Sequence, residues 1–185
     1  GAAVLGSIQP QPLAQDAQGQ MALVDIAGAI KPLDAHFART RLLCLENTWS
    51  GHVMPMPYLE QATALARQHG LATHLDGARV MNAAVAQAQA EGTDALTELR
   101  RMAGLFDSVS VCLSKGLGAP VGSALCGSRE LIDKALRWRK VLGGGMRQSG
   151  ILAAAALHAL DDHIDRLADD HVLAQRLAQG LQGLP

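Results

Sequence analysis

The stretch Ser108-Val109-Ser110-Val111-Cys112-Leu113-Ser114-Lys115-Gly116-Leu117-Gly118-Ala119-Pro120-Val121-Gly122-Ser123 decides the fold. Val109, Val111 and Leu113 alternate with small residues, the period of a strand with one apolar face. Ser114-Lys115-Gly116 then turns the backbone, and Gly116, Gly118 and Pro120 forbid an ordinary helix. A lysine is thereby delivered to the end of a core strand. Burial there would disfavour the ammonium and favour the neutral amine, a nucleophile that forms Schiff bases with carbonyls. A phosphate-binding P-loop does not fit, because the Gly-x4-Gly-Lys-Ser/Thr spacing is absent and Lys115 precedes both glycines. The competing reading is a solvated loop lysine.

A second stretch bears on that choice. Leu71-Ala72-Thr73-His74-Leu75-Asp76-Gly77-Ala78-Arg79 reads as another short strand, ending in an acid, a glycine and an arginine. Asp76 and Lys115 then both fall at the C-terminal ends of candidate parallel strands, where open α/β sheets place their ligands. A pyridoxal 5'-phosphate (PLP) enzyme needs a lysine to hold the cofactor and an aspartate to keep the pyridine nitrogen protonated.

Three motifs in order, His74-Leu75-Asp76-Gly77-Ala78-Arg79, Cys112-Leu113-Ser114-Lys115-Gly116-Leu117-Gly118 and Gly143-Gly144-Gly145-Met146-Arg147-Gln148-Ser149-Gly150, resemble the low-specificity L-threonine aldolases. These are PLP enzymes of the aspartate-aminotransferase fold (fold type I), and the resemblance runs from Gly1 to the last helix. It implies an α/β fold with a mostly parallel sheet flanked by helices, the large PLP-binding domain of that class. It also implies cleavage of L-threonine, L-allo-threonine and related β-hydroxy-α-amino acids to glycine and an aldehyde. Residues 1–185 are expected to form a single, partial domain. Family features with no counterpart here are an upstream phosphate cup with a cofactor-stacking histidine, and a downstream small domain carrying a carboxylate-binding arginine. The chain therefore reads as an interior piece, from Gly1-Ala2-Ala3 to Gly183-Leu184-Pro185.

Within the resemblance, Lys115 holds the cofactor and Asp76 meets its ring nitrogen, although a strand-end acid capping the next helix would occupy the same position. Arg79 is assigned to the cofactor's phenolic oxygen or the substrate carboxylate, against the plainer reading of a helix-surface ion pair. His36, in His36-Phe37-Ala38-Arg39-Thr40, resembles a family histidine near the substrate hydroxyl; an imidazole there could accept that proton. An ordinary loop histidine is the alternative. Lys140 and Arg147 flank the triple glycine. In the family this loop crosses a subunit interface to the neighbour's phosphate, which implies a homodimer or homotetramer, whereas a solvated charged loop is the plainer reading. His74 is either a support for Asp76 or a satisfied core histidine. Glu46, Asn47 and Thr48 are expected to line the same cleft. His69, His158, Asp162, His163 and His171 match no metal spacing and read as surface or packing residues. Rival functions are another PLP lyase of the same fold, β-eliminating or serine hydroxymethyltransferase-like, and a non-catalytic fragment.

Composition narrows the classes further. The 185 residues are 49% hydrophobic with a formal net charge of -1. That is enough apolar chain for a core and too little charge to point to nucleic acid. No run is long enough to span a membrane and no secretory signal pattern opens the chain, so a cytoplasmic protein is expected. Cys44, Cys112 and Cys126 lie in apolar runs and are expected in the core.

For the remaining elements, Ala2–Ile8 and Arg41–Glu46 read as strands, the latter buried, and Ala22–Ile30 and Tyr58–His69 as helices. Arg79–Ala90 reads as a helix, and Thr93 as the cap of another over Asp94–Met102, with Glu98 on its wet side. Val121–Cys126 reads as a strand beside Val109–Leu113, and Ser128 as the cap of a helix over Glu130–Lys140. Ser149 to about Leu181 reads as helical throughout, with the alanine-rich Ile151–Leu157 packed on all sides.

Overall fold

A computed structural model describes residues 1–183; Leu184 and Pro185, the end of the chain beyond the last helix, lie outside the described residues. The order is α1 (Ala2–Gly6), α2 (Leu23–Ala29), β1 (Leu42–Glu46), α3 (Met56–Gln68), β2 (Ala72–Gly77), α4 (Val80–Glu91), α5 (Ala95–Ala103), β3 (Ser108–Cys112), β4 (Ser123–Gly127), α6 (Arg129–Val141), α7 (Gly150–Asp162) and α8 (Leu167–Leu181). The four strands form one sheet in the order β1-β2-β3-β4. The first three are parallel, and β4 returns antiparallel to β3. The expected α/β fold with a mostly parallel sheet is therefore observed.

Alternation along the strands explains how the sheet is covered. In β1, Leu43 and Leu45 are buried while Leu42 and Cys44 are exposed; in β2, Thr73, Leu75 and Gly77 point inward. The inward side meets Leu59, Ala62 and Ala66 of α3, together with Met54, Met56, Val80, Met102 and Val109, in one core. Those α3 positions recur at helical spacing, as an amphipathic helix requires. Pro57 sits in the first turn of α3, where its missing N–H costs nothing. A second core joins Met81 and Val85 of α4 to Leu117, Ala119, Ala159 and Leu167.

Several expectations are corrected. Ala2–Gly6 is a short exposed helix and not a strand; alanine and leucine favour the helix, and no neighbouring strand offers these residues a ladder. Cys44 and Cys126 are exposed and Cys112 is half-buried, because they occupy the uncovered side of β1 and β3 and the exposed strand β4. The cap of α5 is Asp94, which accepts the Thr97 N–H. Thr93 instead donates its hydroxyl to Glu98 at 2.9 Å. Glu98 is buried, not on the wet side; its carboxylate takes that bond and an ion pair with Arg101. The C-terminal helical segment is two helices broken over residues 163–166. Ile151 and Leu157 are exposed, since α7 packs through Ala156 and Ala159. The Ser128 cap of α6 is as expected, its hydroxyl accepting the Leu131 N–H.

Leu75, fully buried in the middle strand, tests this core. Leu75→Ala is expected to cost about 2–5 kcal/mol in denaturant-induced unfolding, the range for a large-to-small change in a packed interior. A loss below about 1 kcal/mol would mean that this face of β2 is not the core.

Candidate active site at the carboxyl ends of the parallel strands

The strand register places polar residues in rows on the uncovered side of the sheet. Cys44 is opposite His74, and His74 opposite Ser108; one step nearer the carboxyl ends, Glu46 is opposite Asp76, and Asp76 opposite Ser110. Residues two apart on a strand share a face, so His74 and Asp76 lie on the same side, as do Ser108, Ser110 and Cys112. His74 Nδ1 and Ser108 Oγ are 2.8 Å apart within their row. Burial pulls the His74 pKa down, and the nearby Asp76 carboxylate opposes that shift. His74 is thus tied to its own row and makes no hydrogen bond to Asp76.

Asp76 is exposed at the end of β2. Its Oδ1 accepts the Ala78 N–H at 3.1 Å, which fixes the turn into α4. Gly77 follows because a Cβ there would stand 2.8 Å from the Ser110 carbonyl oxygen. Arg79, the N-cap residue of α4, is exposed and forms no ion pair among the described residues.

Lys115 lies in the turn beyond β3. The turn closes through Gly118 N–H to the Lys115 carbonyl at 2.9 Å and Ala119 N–H to the Leu113 carbonyl at 2.9 Å. Leu117 is buried in the second core and anchors it. Lys115 itself is exposed, so the burial expected for it is absent from this chain: Leu117, not the lysine, fills the space beneath the turn.

Cys112 is the last residue of β3, just ahead of the Lys115 turn. A hydrogen bond with Ser114, 3.4 Å from the sulfur, holds the thiol below its ordinary range, and the charges of Lys115 and Arg79 act in the same direction. Cys44 shows the opposite: partial desolvation pushes its thiol up, and Asp76 adds to the rise.

The other candidates lie elsewhere. His36 is almost fully exposed and bonds through Nδ1 to Asp34 Oδ1 at 2.7 Å; the His36 backbone N–H, and after it this side-chain contact, hold the Asp34 carboxyl below its usual range. Lys140, near the end of α6, and Arg147, in the following turn, are exposed and form no ion pair among the described residues. None of the three hydrogen-bonds to Asp76 or Lys115. Asn47 and Thr48 are buried rather than lining an open cleft, because the Asn47 side chain turns inward to accept the Met54 N–H.

The chain matches the beta-eliminating lyase family over residues 1–185. It belongs to that family. It is 52% identical to the low specificity L-threonine aldolase of Escherichia coli K12, over 98% of this chain and 52% of that protein. It is 38% identical to the Saccharomyces cerevisiae low specificity L-threonine aldolase, over 97% of this chain and 45% of that one. A solved structure of the Leishmania major threonine aldolase superposes with a TM-score of 0.76 at 25% identity, covering 91% of this chain and 49% of that one. The chain thus spans about half the length of the curated relatives it matches, and its fold is that of the fold type I class.

His163, read from the sequence as a surface or packing residue, contacts the Lys115 turn. It reaches the Lys115 turn across a separation that no local pattern reveals, Nδ1 lying 2.6 Å from the Leu117 carbonyl oxygen.

The contrasting thiols give a direct check. More thiolate at a given pH means faster alkylation, so at pH 8 iodoacetamide is expected to label Cys112 roughly several-fold faster than Cys44. Faster labelling of Cys44, measured by peptide mass spectrometry, would contradict the stabilisation of the Cys112 thiolate by Ser114, with the smaller help of Lys115 and Arg79.

Proposed function

We propose that this chain forms the PLP-binding part of an aldolase that cleaves L-threonine, L-allo-threonine and related β-hydroxy-α-amino acids to glycine and an aldehyde. The observation that carries the reading is the exit of Asp76 and Lys115 from adjacent parallel strands at the same end of the sheet, in a chain so similar to named threonine aldolases. The residues fit the cofactor in kind. An exposed amine, a carboxylate and a guanidinium border a row of small side chains, Ser110 and Cys112, that leaves the sheet surface open. When bound, pyridoxal phosphate supplies an electron sink for cleavage of the Cα–Cβ bond.

The chain's own groups have distinct tasks. Lys115 would hold the cofactor through its exposed side-chain amine. Asp76 would meet the ring nitrogen and keep its proton in place, with Oδ1 already accepting the Ala78 N–H and Oδ2 left for that contact. Arg79 binds an anionic oxygen, the substrate carboxylate or the phenolic oxygen. His36, directly or through water, takes the β-hydroxyl proton, which requires its exposed segment to be brought to the cleft. Lys140 and Arg147 reach the phosphate of a neighbouring copy, so the working unit is a homodimer or homotetramer. The three free cysteines accord with a reducing, cytoplasmic setting, and no helix among the described residues is long and apolar enough to cross a membrane.

Release of glycine and aldehyde from L-threonine, L-allo-threonine and phenylserine, assayed in the protein expressed from its complete gene, tests the reading. Lys115→Ala is expected to lower kcat by at least about 1000-fold, and Asp76→Asn by about 100-fold or more. Full activity in Lys115→Ala would refute the assignment. Production of a 2-oxo acid and ammonia instead of glycine would make the protein an eliminating lyase.

A further inference from the structure

The turn that carries Lys115 is gripped from the side by the elbow between α7 and α8. His163 Nδ1 is 2.6 Å from the Leu117 carbonyl oxygen. A carbonyl only accepts, so Nδ1 carries the hydrogen and donates it. Gly118 has φ +73°, and a Cβ built there would stand 3.4 Å from Arg166 Nη2 and 3.6 Å from His163 Nδ1. A Cβ at Gly116 would stand 2.5 Å from Asn82 Oδ1 and 3.0 Å from Leu167 Cδ2. Leu167 and Leu117 are both fully buried in the second core. His171 of α8 extends the grip to α4, its Nε2 lying 2.9 Å from the Asn82 carbonyl oxygen. Gly116 is thus pressed by groups from other elements, Gly118 lies within contact distance of Arg166 and His163, and Leu117 between them is held by its side chain from below and by its carbonyl from His163.

From this we propose that His163 is a positioning residue for Lys115: its hydrogen bond to the Leu117 carbonyl locks the Lys115–Gly118 turn and so fixes where the amine is presented. The inference rests on the assignment of Lys115 as the cofactor-holding amine. His163 touches neither cofactor nor substrate in this scheme and acts through the backbone of the turn. The δ position of the donor is what matters. Asparagine carries an N–H donor close to where Nδ1 sits, whereas glutamine places its donor one bond further out and leucine has none.

Two readouts on the complete protein separate the clamp from the assignment beneath it. The first is hydrogen exchange, by mass spectrometry with fragmentation, at the Gly118 and Ala119 amides that close the turn. The second is the rate of covalent capture of pyridoxal phosphate at Lys115, trapped by borohydride and mapped by peptide. His163→Leu is expected to speed exchange at those two amides and slow capture, each by roughly 3- to 10-fold, the range that loss of one hydrogen bond allows. His163→Asn is expected to restore both and His163→Gln neither. Unchanged exchange and capture in His163→Leu would overturn the clamp. Should that variant not fold, as judged by circular dichroism, identical behaviour of the Asn and Gln variants would overturn it equally. Absence of capture at Lys115 in the parent protein, with capture elsewhere, would instead overturn the assignment on which the inference rests.

Discussion

The register between β1, β2 and β3 is the constraint on which the rest depends. A parallel ladder fixes which residues stand side by side, and a slip of one residue would turn every side chain to the opposite face. With Glu46 opposite Asp76 and Asp76 opposite Ser110, all three strands release their chains at the same end. The turn to Arg79 and the turn to Lys115 therefore emerge as neighbours. Leu43, Leu45, Leu75 and Val109 hold this register because they are the residues buried in the core; the slipped alternative would bury His74 and Asp76 in their place. Hydrophobic burial on one face thus dictates chemistry on the other.

The second core performs the complementary task. Strand pairing with β4 brings the chain as far as Leu113, whose N–H bonds the Gly122 carbonyl, and the Lys115–Gly118 turn beyond has no strand partner. Leu117 supplies the anchor by inserting among Met81, Val85, Ala159 and Leu167, which leaves Lys115 on the solvent side. Gly116 is required because Asn82 and Leu167 close over it, and Gly118 because its φ of +73° is a conformation that side chains rarely adopt. Lys115 is thus an exposed side chain on a turn held from below by Leu117 and from the side by His163.

Much of this was legible in the sequence where local periodicity and chemistry agreed. Alternation in β3, the helical spacing of α3 and the Ser128 cap each reflect a force acting within a few residues. The same holds for Asp76 and Lys115, whose strands announce themselves and end in residues of evident chemistry. What was not legible depends on distant partners. Glu98 looks like a surface acid until Thr93 and Arg101 are seen around it. The Ala2–Gly6 segment reads as a strand only if a neighbouring strand exists to pair with it. His163 carries no motif, and its meaning comes from Leu117, 46 residues away. The expected burial of Lys115 failed for a related reason: alternation in the strand does not say which residue of the following turn points into the core.

The measurement that bears most directly on the central claim, that Asp76 and Lys115 serve one ligand, is a crystal structure of the complete protein grown with pyridoxal phosphate. The account predicts continuous density from Lys115 Nζ to the cofactor. It also predicts the Asp76 carboxylate at hydrogen-bond distance, about 2.7–3.2 Å, from the ring nitrogen, with Oδ1 still accepting from Ala78. Cofactor joined to another lysine, or an Asp76 side chain directed only at its own turn with the ring nitrogen elsewhere, would contradict it.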